Sequence, residues 1–202
     1  MFVIGKTNNI VFFSQFASNR LSQISFMEIN EILENLDCAI NLVLKNEKDI
    51  LQRGLNELNL TGHLAKYLTP LFEELTVDPE YNGDNLKEND RKALDIARNR
   101  MIEIGIEPKE TNNYKLTPDI IIHKRNTNES NLVVIEAKKD SNSKKHKEFD
   151  LLKLEHMTID YSGNHYNYKL GVAIVFGTNK RVGEIQVLYY QNGILTQREN
   201  LK

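Results

Sequence analysis

Two hydrophobic rhythms run along this chain, one near 3.6 residues and one near two. From Met27 onward, apolar side chains fall at Ile29, Ile32, Leu33, Leu36, Ile40, Leu42 and Val43, the spacing of one helical face, and predict a helix over 27–46. Residues 48–75 continue in that rhythm through Leu51, Leu55, Leu58, Ala65, Leu68 and Phe72, with Gly54, Gly62 and Pro70 as points of bending or division. Residues 76–85 predict a short strand and a turn at Asn82-Gly83, and 86–104 predict another amphipathic helix. Before all of these, the short runs FVI and VFF within residues 1–25 predict one or two strands, a hairpin at most.

The rhythm changes at Asp119. The runs DIIIH (119–123) and LVVIEAK (132–138) are rich in β-branched residues and flank a polar, turn-forming segment, the pattern of a β-hairpin. A lysine-rich helical stretch follows (SKKHKEFDLLKLEHMTI), then an apolar strand at 170–177. The segment EIQVLYYQ predicts an outer strand or the far arm of a last hairpin. The order of helix, strands, helix and strand indicates an α/β or α+β sandwich. No internal repeat is present, which removes solenoids and propellers.

Composition narrows the class without changing the fold. The chain has 202 residues, of which 40% are hydrophobic and 27% charged, enough for one domain with a proper core. A single cysteine, Cys38, excludes an intramolecular disulfide and a cysteine zinc cluster, and suits a reducing, cytoplasmic setting. The N-terminus lacks a signal-peptide h-region, and no apolar run approaches the length of a membrane span. A formal net charge of -2 argues against a polycation that coats DNA, but a local basic patch needs no net charge. No Walker A loop, dinucleotide fingerprint or nucleophile elbow occurs. The five histidines show no metal-protease spacing, and surface or core roles account for them.

The hairpin carries the candidate chemistry. With Asp119 opposite Glu136, Ile121 falls opposite Val134 and His123 opposite Leu132, while Glu136 and Lys138 share the face of Asp119. Ile120, Ile122, Val133, Ile135 and Ala137 then form the other, core-packed face. Two carboxylates and an ammonium at one end of so apolar a hairpin are costly unless paired or bound to a metal. Mg²⁺ takes oxygen ligands and relieves carboxylate repulsion. It can lower the pKa of a bound water for phosphodiester hydrolysis. Lys138 would orient the nucleophile or neutralise developing charge. The plainer alternatives are a strand-entry acid at Asp119 and a solvated ion pair at Glu136 and Lys138.

Pro118-Asp119, followed seventeen residues later by Glu136-Ala137-Lys138, resembles the PD-(D/E)xK nuclease superfamily. The tight match covers residues 116–139, and a looser one covers 50–180. The stretch from LNELNLTGHLAKYL to VDPEYN is similar to an uncharacterised bacterial group within it. The resemblance implies a restriction-endonuclease-like α/β core, a mixed central sheet flanked by helices, over residues 48–202. Residues 1–47 would pack on that core, and a helical insertion would lie around 84–114. It implies a metal-dependent endonuclease acting on DNA, with a catalytically silent binding module as the alternative. Asp119 and Glu136 would ligate Mg²⁺ or Mn²⁺, joined by the Ala137 carbonyl, with Glu57 assisting from the preceding helix. Glu73 and Glu74 are weaker alternatives to Glu57, and Asp78 and Glu80 could line the same cleft. Lys153 would face the nucleic-acid backbone, and Lys144 and Lys145, with His146 and Lys147, form a basic cluster for phosphates. Lys139 could reach a phosphate from the strand end. Tyr161, Tyr166 and Tyr168 could stack on bases, although sheet-edge packing explains them better. A homodimer or a protein partner is compatible with such a nuclease.

Overall fold

A computed structural model describes residues 27–84, 92–127, 130–159 and 164–196. The strands expected in residues 1–25 lie outside the described residues. Helix α1 (Ile29–Asn46) buries Ile32, Leu33, Leu36, Ala39, Ile40 and Val43, the stripe its spacing predicts. The second helical stretch divides where expected. Helix α2 (Lys48–Arg53) ends at Gly54, whose φ of 58° is left-handed and costs a glycine little. Helix α3 (Glu57–Leu68) starts at Asn56, whose side chain accepts from the Leu58 N–H, and a 3₁₀ turn at Thr69–Leu71 carries Pro70.

Strand β1 (Thr76–Pro79) comes next. The helix expected over 86–104 is corrected here. Residues 85–91 lie outside the description, and Ala93–Asp95 is a strand, β2, paired antiparallel with β3 (Asn113–Lys115). Among the described residues of that range, only Arg98–Glu103 is helical (α4). Strand β4 (Ile120–His123) and strand β5 (Asn131–Lys139) form the expected hairpin. Their register matches Ile120 with Ile135, Ile121 with Val134 and Ile122 with Val133, the pairing that apolar patterning and loop length allowed. It then slips, so His123 faces Asn131 and not Leu132. Helix α5 (Lys144–Met157) is capped by Ser143 and crosses over to strand β6 (Leu170–Phe176), which lies parallel to β5. Strand β7 (Ile185–Gln191) and strand β8 (Ile194–Thr196) follow. They turn through Asn192 and Gly193, both at positive φ as a tight antiparallel hairpin demands.

The result is an α/β fold around a mixed six-stranded sheet, ordered β1-β4-β5-β6-β7-β8. One face packs on α1, α2 and α3 through Ile120, Ile122, Val133, Ile135 and Ala137. The other packs on α5, α4 and the β2–β3 pair through Ile121, Val134, Leu154, Met157, Tyr166 and Tyr168. Tyr166 and Tyr168 are fully buried, so these two are core residues and not base-stacking platforms. Arg100 grips Glu155 with two hydrogen bonds of 2.7 and 2.8 Å, which fixes α4 to α5. No helix among the described residues is long and apolar enough to cross a membrane.

Candidate active site

Three separate parts of the chain meet at the end of the central hairpin. Asp119 enters β4, Glu136 and Lys138 lie near the carboxyl end of β5, and Glu57 opens α3. Asp119 Oδ2 accepts hydrogen bonds from the Ala137 N–H at 2.8 Å and from Lys138 Nζ at 3.0 Å. The Pro-Asp and Glu-x-Lys segments are thereby tied to each other directly. Glu57 Oε2 lies 3.5 Å from Lys138 Nζ, so the residue expected to point inward from the preceding helix does so. The Ala137 side chain belongs to the opposite core, which leaves only its backbone to the site.

Helix α5 adds two side chains to this face. Asp150 Oδ2 lies 3.6 Å from Lys138 Nζ, and Asp150 Oδ1 lies 2.7 Å from Lys153 Nζ. Lys153 Nζ is also 2.7 Å from Glu136 Oε1. Lys153 is therefore corrected: it is 7% exposed and points into the protein, away from any nucleic-acid backbone. Lys139 is half-buried, and its Nζ donates to the Gly54 carbonyl at 3.1 Å, which fastens β5 to the end of α2. Asp150 was not anticipated. The signal was present, because 150, 153, 154 and 157 form one helical face that includes the core residues Leu154 and Met157.

Four carboxylates thus meet two ammonium groups, and the balance shows in their ionisation. Burial pushes the Glu136 carboxyl up to about 8, with Asp119 and Asp150 adding to the effect and Lys153 opposing it. Burial works against the charge on Lys138, yet Asp119, Asp150 and Glu136 outweigh it and hold the ammonium above its ordinary range. The same contest raises Lys153, with Glu136 and Asp150 prevailing over burial. Neither Glu136 oxygen is in a hydrogen bond of ordinary geometry, and Glu57 Oε1 and Asp150 Oδ2 are likewise buried without one. Buried acceptors left in that state cost free energy and are seldom kept for stability alone.

Among the described residues, no three His, Cys, Asp or Glu side chains are grouped so as to hold a metal ion as they stand. The lysines explain this, since Lys138 and Lys153 lie between the carboxylates. In kind, however, the donors suit a hard divalent cation. They are all carboxylate oxygens, several are buried without a hydrogen bond, and with every group ionised the set carries two negative charges in excess.

The other expected residues separate from this centre. Asp78 is held by His123, at 3.0 Å, and by Arg125, and belongs to its own cluster. Lys144 is exposed beside Glu148, and Lys145 is exposed at the start of α5, where both remain open to solvent. Lys147 donates to the Asp140 carbonyl at 2.7 Å. A cleft of about 150 Å³ lies past the end of β5, lined by Asp140, Lys147, Arg181 and Glu184 among others. Its cations are already engaged, Arg181 by Glu184 and Asp140, so it does not read as a phosphate site.

Comparisons of the chain with protein-family models, curated proteins and solved structures gave no match. The functional reading therefore rests on the geometry.

Proposed function

We propose that this chain is a metal-dependent endonuclease that hydrolyses DNA phosphodiester bonds on a restriction-endonuclease-like core, as a member of the PD-(D/E)xK superfamily. The observation that carries this reading is the junction of its two motif segments: Asp119 Oδ2 accepts from both Ala137 N–H and Lys138 Nζ. A solvated strand-end ion pair has no need of such an arrangement, nor of a fully buried Glu136 carboxylate beside it, held by an ion pair to Lys153 without an aligned hydrogen bond.

Asp119, Glu136 and the Ala137 carbonyl would hold Mg²⁺ or Mn²⁺, with Glu57 alongside. The bound cation supplies Lewis-acid polarisation of the phosphodiester and a lowered pKa for the attacking water. Lys138, kept charged by its carboxylate neighbours, acts as a hydrogen-bond donor and not as a proton acceptor. Its Nζ positions the nucleophile or meets a non-bridging phosphate oxygen, and it offsets the negative charge that develops there. Asp119, by accepting from Lys138, fixes where that Nζ points. Lys144 and Lys145, exposed near the same end of the sheet, supply cations for the DNA backbone.

One observation favours a second reading, a catalytically silent binding module on the same framework: the two ammonium groups interposed among the carboxylates. Cleavage assays separate the two. Supercoiled plasmid, linear duplex and single-stranded DNA are incubated with and without Mn²⁺, using wild type, Asp119→Ala and Lys138→Ala proteins of matched circular dichroism. The enzyme reading expects Mn²⁺-dependent cleavage, reduced at least about a hundredfold in each variant. No cleavage of any substrate, with no Mn²⁺-induced change in melting temperature, overturns it.

A further inference from the structure

Lys153 is a buried cation whose position is not explained by DNA contact. Its Nζ sits 2.7 Å from Glu136 Oε1 and 2.7 Å from Asp150 Oδ1, with the Phe149 ring centroid 5.7 Å away. The second lysine of the site, Lys138, is anchored differently, by a hydrogen bond to Asp119. The contact from Lys153 to Glu136 is an ion pair without the alignment of a hydrogen bond, and neither Glu136 oxygen has another partner. Glu136 therefore depends chiefly on the Lys153 ammonium, 2.7 Å away and not locked to it by an aligned hydrogen bond, with Lys138 acting from farther off. A lysine is a compact charge on a flexible four-carbon stem, able to withdraw where a forked arginine would be held. Asp150 and the face of Phe149 offer the ammonium a resting place when it leaves Glu136.

We propose that Lys153 is a resident counter-cation of the site: it occupies Glu136 in the metal-free protein, and a divalent cation must displace it to bind. Lys153 thus sets how tightly the site takes its metal, and Asp150 is the positioning residue that receives the displaced ammonium. This rests on the metal-dependent reading above and adds to it a residue that weakens metal binding. The physical basis is repulsion. A fixed positive charge a few ångströms from a divalent ion opposes binding even at the high effective dielectric of a partly hydrated interior.

The test is calorimetric titration of Mn²⁺ into the full chain, for wild type, Lys153→Met, Lys153→Gln, Lys153→Arg and the Lys153→Met/Glu136→Gln double variant. Lys153→Met and Lys153→Gln are expected to bind Mn²⁺ about tenfold more tightly than wild type, since the competing charge is gone. Lys153→Arg keeps the charge and is expected to show no gain. The double variant is expected to bind no more tightly than wild type, because the gain requires the Glu136 carboxylate. Lys153→Gln retains polarity at the position and carries the test if Lys153→Met does not fold. Wild-type binding with no gain in either neutral variant overturns this proposal alone. Absence of Mn²⁺ binding in wild type and both neutral variants overturns the metal-dependent reading together with it.

Discussion

The central hairpin carries a charged cluster at each end, and the two are built on opposite terms. At one end, Asp78 receives hydrogen bonds from Arg125 on both oxygens and meets His123 at 3.0 Å. Its carboxyl is held below the ordinary carboxylate value, chiefly by Arg125 and against the effect of burial. At the other end, Glu136 sits among Asp119, Asp150, Lys153 and Lys138, has no aligned hydrogen bond, and carries a carboxyl pushed up to about 8. Both clusters lie on the face that packs against α5, so burial alone does not separate them. The difference is satisfaction. The Asp78 carboxylate has its partners and reads as a structural clasp between β1 and the β4–β5 turn. The Glu136 cluster is held largely by ion pairs to Lys138 and Lys153, and Glu57 Oε1, both Glu136 oxygens and Asp150 Oδ2 are buried without a hydrogen bond.

The sharpest way to break this comparison is to neutralise one acid in each cluster. Glu136→Gln should abolish any Mn²⁺-induced rise in melting temperature and lower cleavage at least about a hundredfold. In chelator it should melt no lower than wild type, because burial already favours the uncharged form of this carboxyl, which glutamine mimics. A large loss of stability in chelator would instead make Glu136 a structural residue.

Asp78→Ala should do the reverse. Removing it leaves His123 buried and Arg125 without its partner, at an expected cost of about 2 kcal/mol, with the Mn²⁺ response intact. Urea unfolding with and without Mn²⁺ reads both effects.

Acid titration sharpens the same point. Burial holds His123 and His156 below their ordinary value of 6.5, with partial opposition from Asp78 and the Leu152 carbonyl respectively. The unfolded chain therefore binds more protons, and stability falls as pH drops through that value. Asp78, with its lowered folded value, contributes stability that is complete above 3.8 and is lost as pH falls through the lower folded value. Melting temperature against pH should show both phases in wild type and a diminished lower one in Asp78→Asn, the remainder belonging to Asp140, whose carboxyl the Thr178 hydroxyl also holds below its ordinary value. A lower phase unchanged by that substitution would remove Asp78 from the account.

The smallest effect belongs to the open surface. Lys144→Ala breaks only an exposed i,i+4 pair with Glu148 and should change stability by no more than about 0.5 kcal/mol. If Lys144 meets a phosphate, the slope of DNA affinity against salt should fall by about one. An unchanged slope would remove it from the interface.

What could be read from the sequence follows from which signals are local. The β4–β5 hairpin was legible because two β-branched apolar runs flank a polar, turn-forming segment, and a register that their patterning and loop length allowed put Asp119, Glu136 and Lys138 on one face. Glu57 was legible because it lies next to a helical stripe. The β2–β3 pair was not, since strands of three residues are too short for periodicity, and Leu94, Ile96 and Met101 also suit an amphipathic helix. The slip between Ile122 and His123 lies at the turn end of the hairpin, and no pattern in the two apolar runs records it. The inward course of Lys153 was hidden by composition. A lysine-rich helix suggests solvent, whereas this lysine shares a face with Asp150, Leu154 and Met157 and is held by carboxylates from two elements.

The most direct measurement is anomalous X-ray scattering from crystals of the chain grown or soaked with Mn²⁺. The account predicts a manganese peak bounded by Asp119, Glu136 and the Ala137 carbonyl, with the Lys153 ammonium moved from Glu136 toward Asp150. Saturating Mn²⁺ with no peak there, and with Lys153 still seated on Glu136, would contradict it.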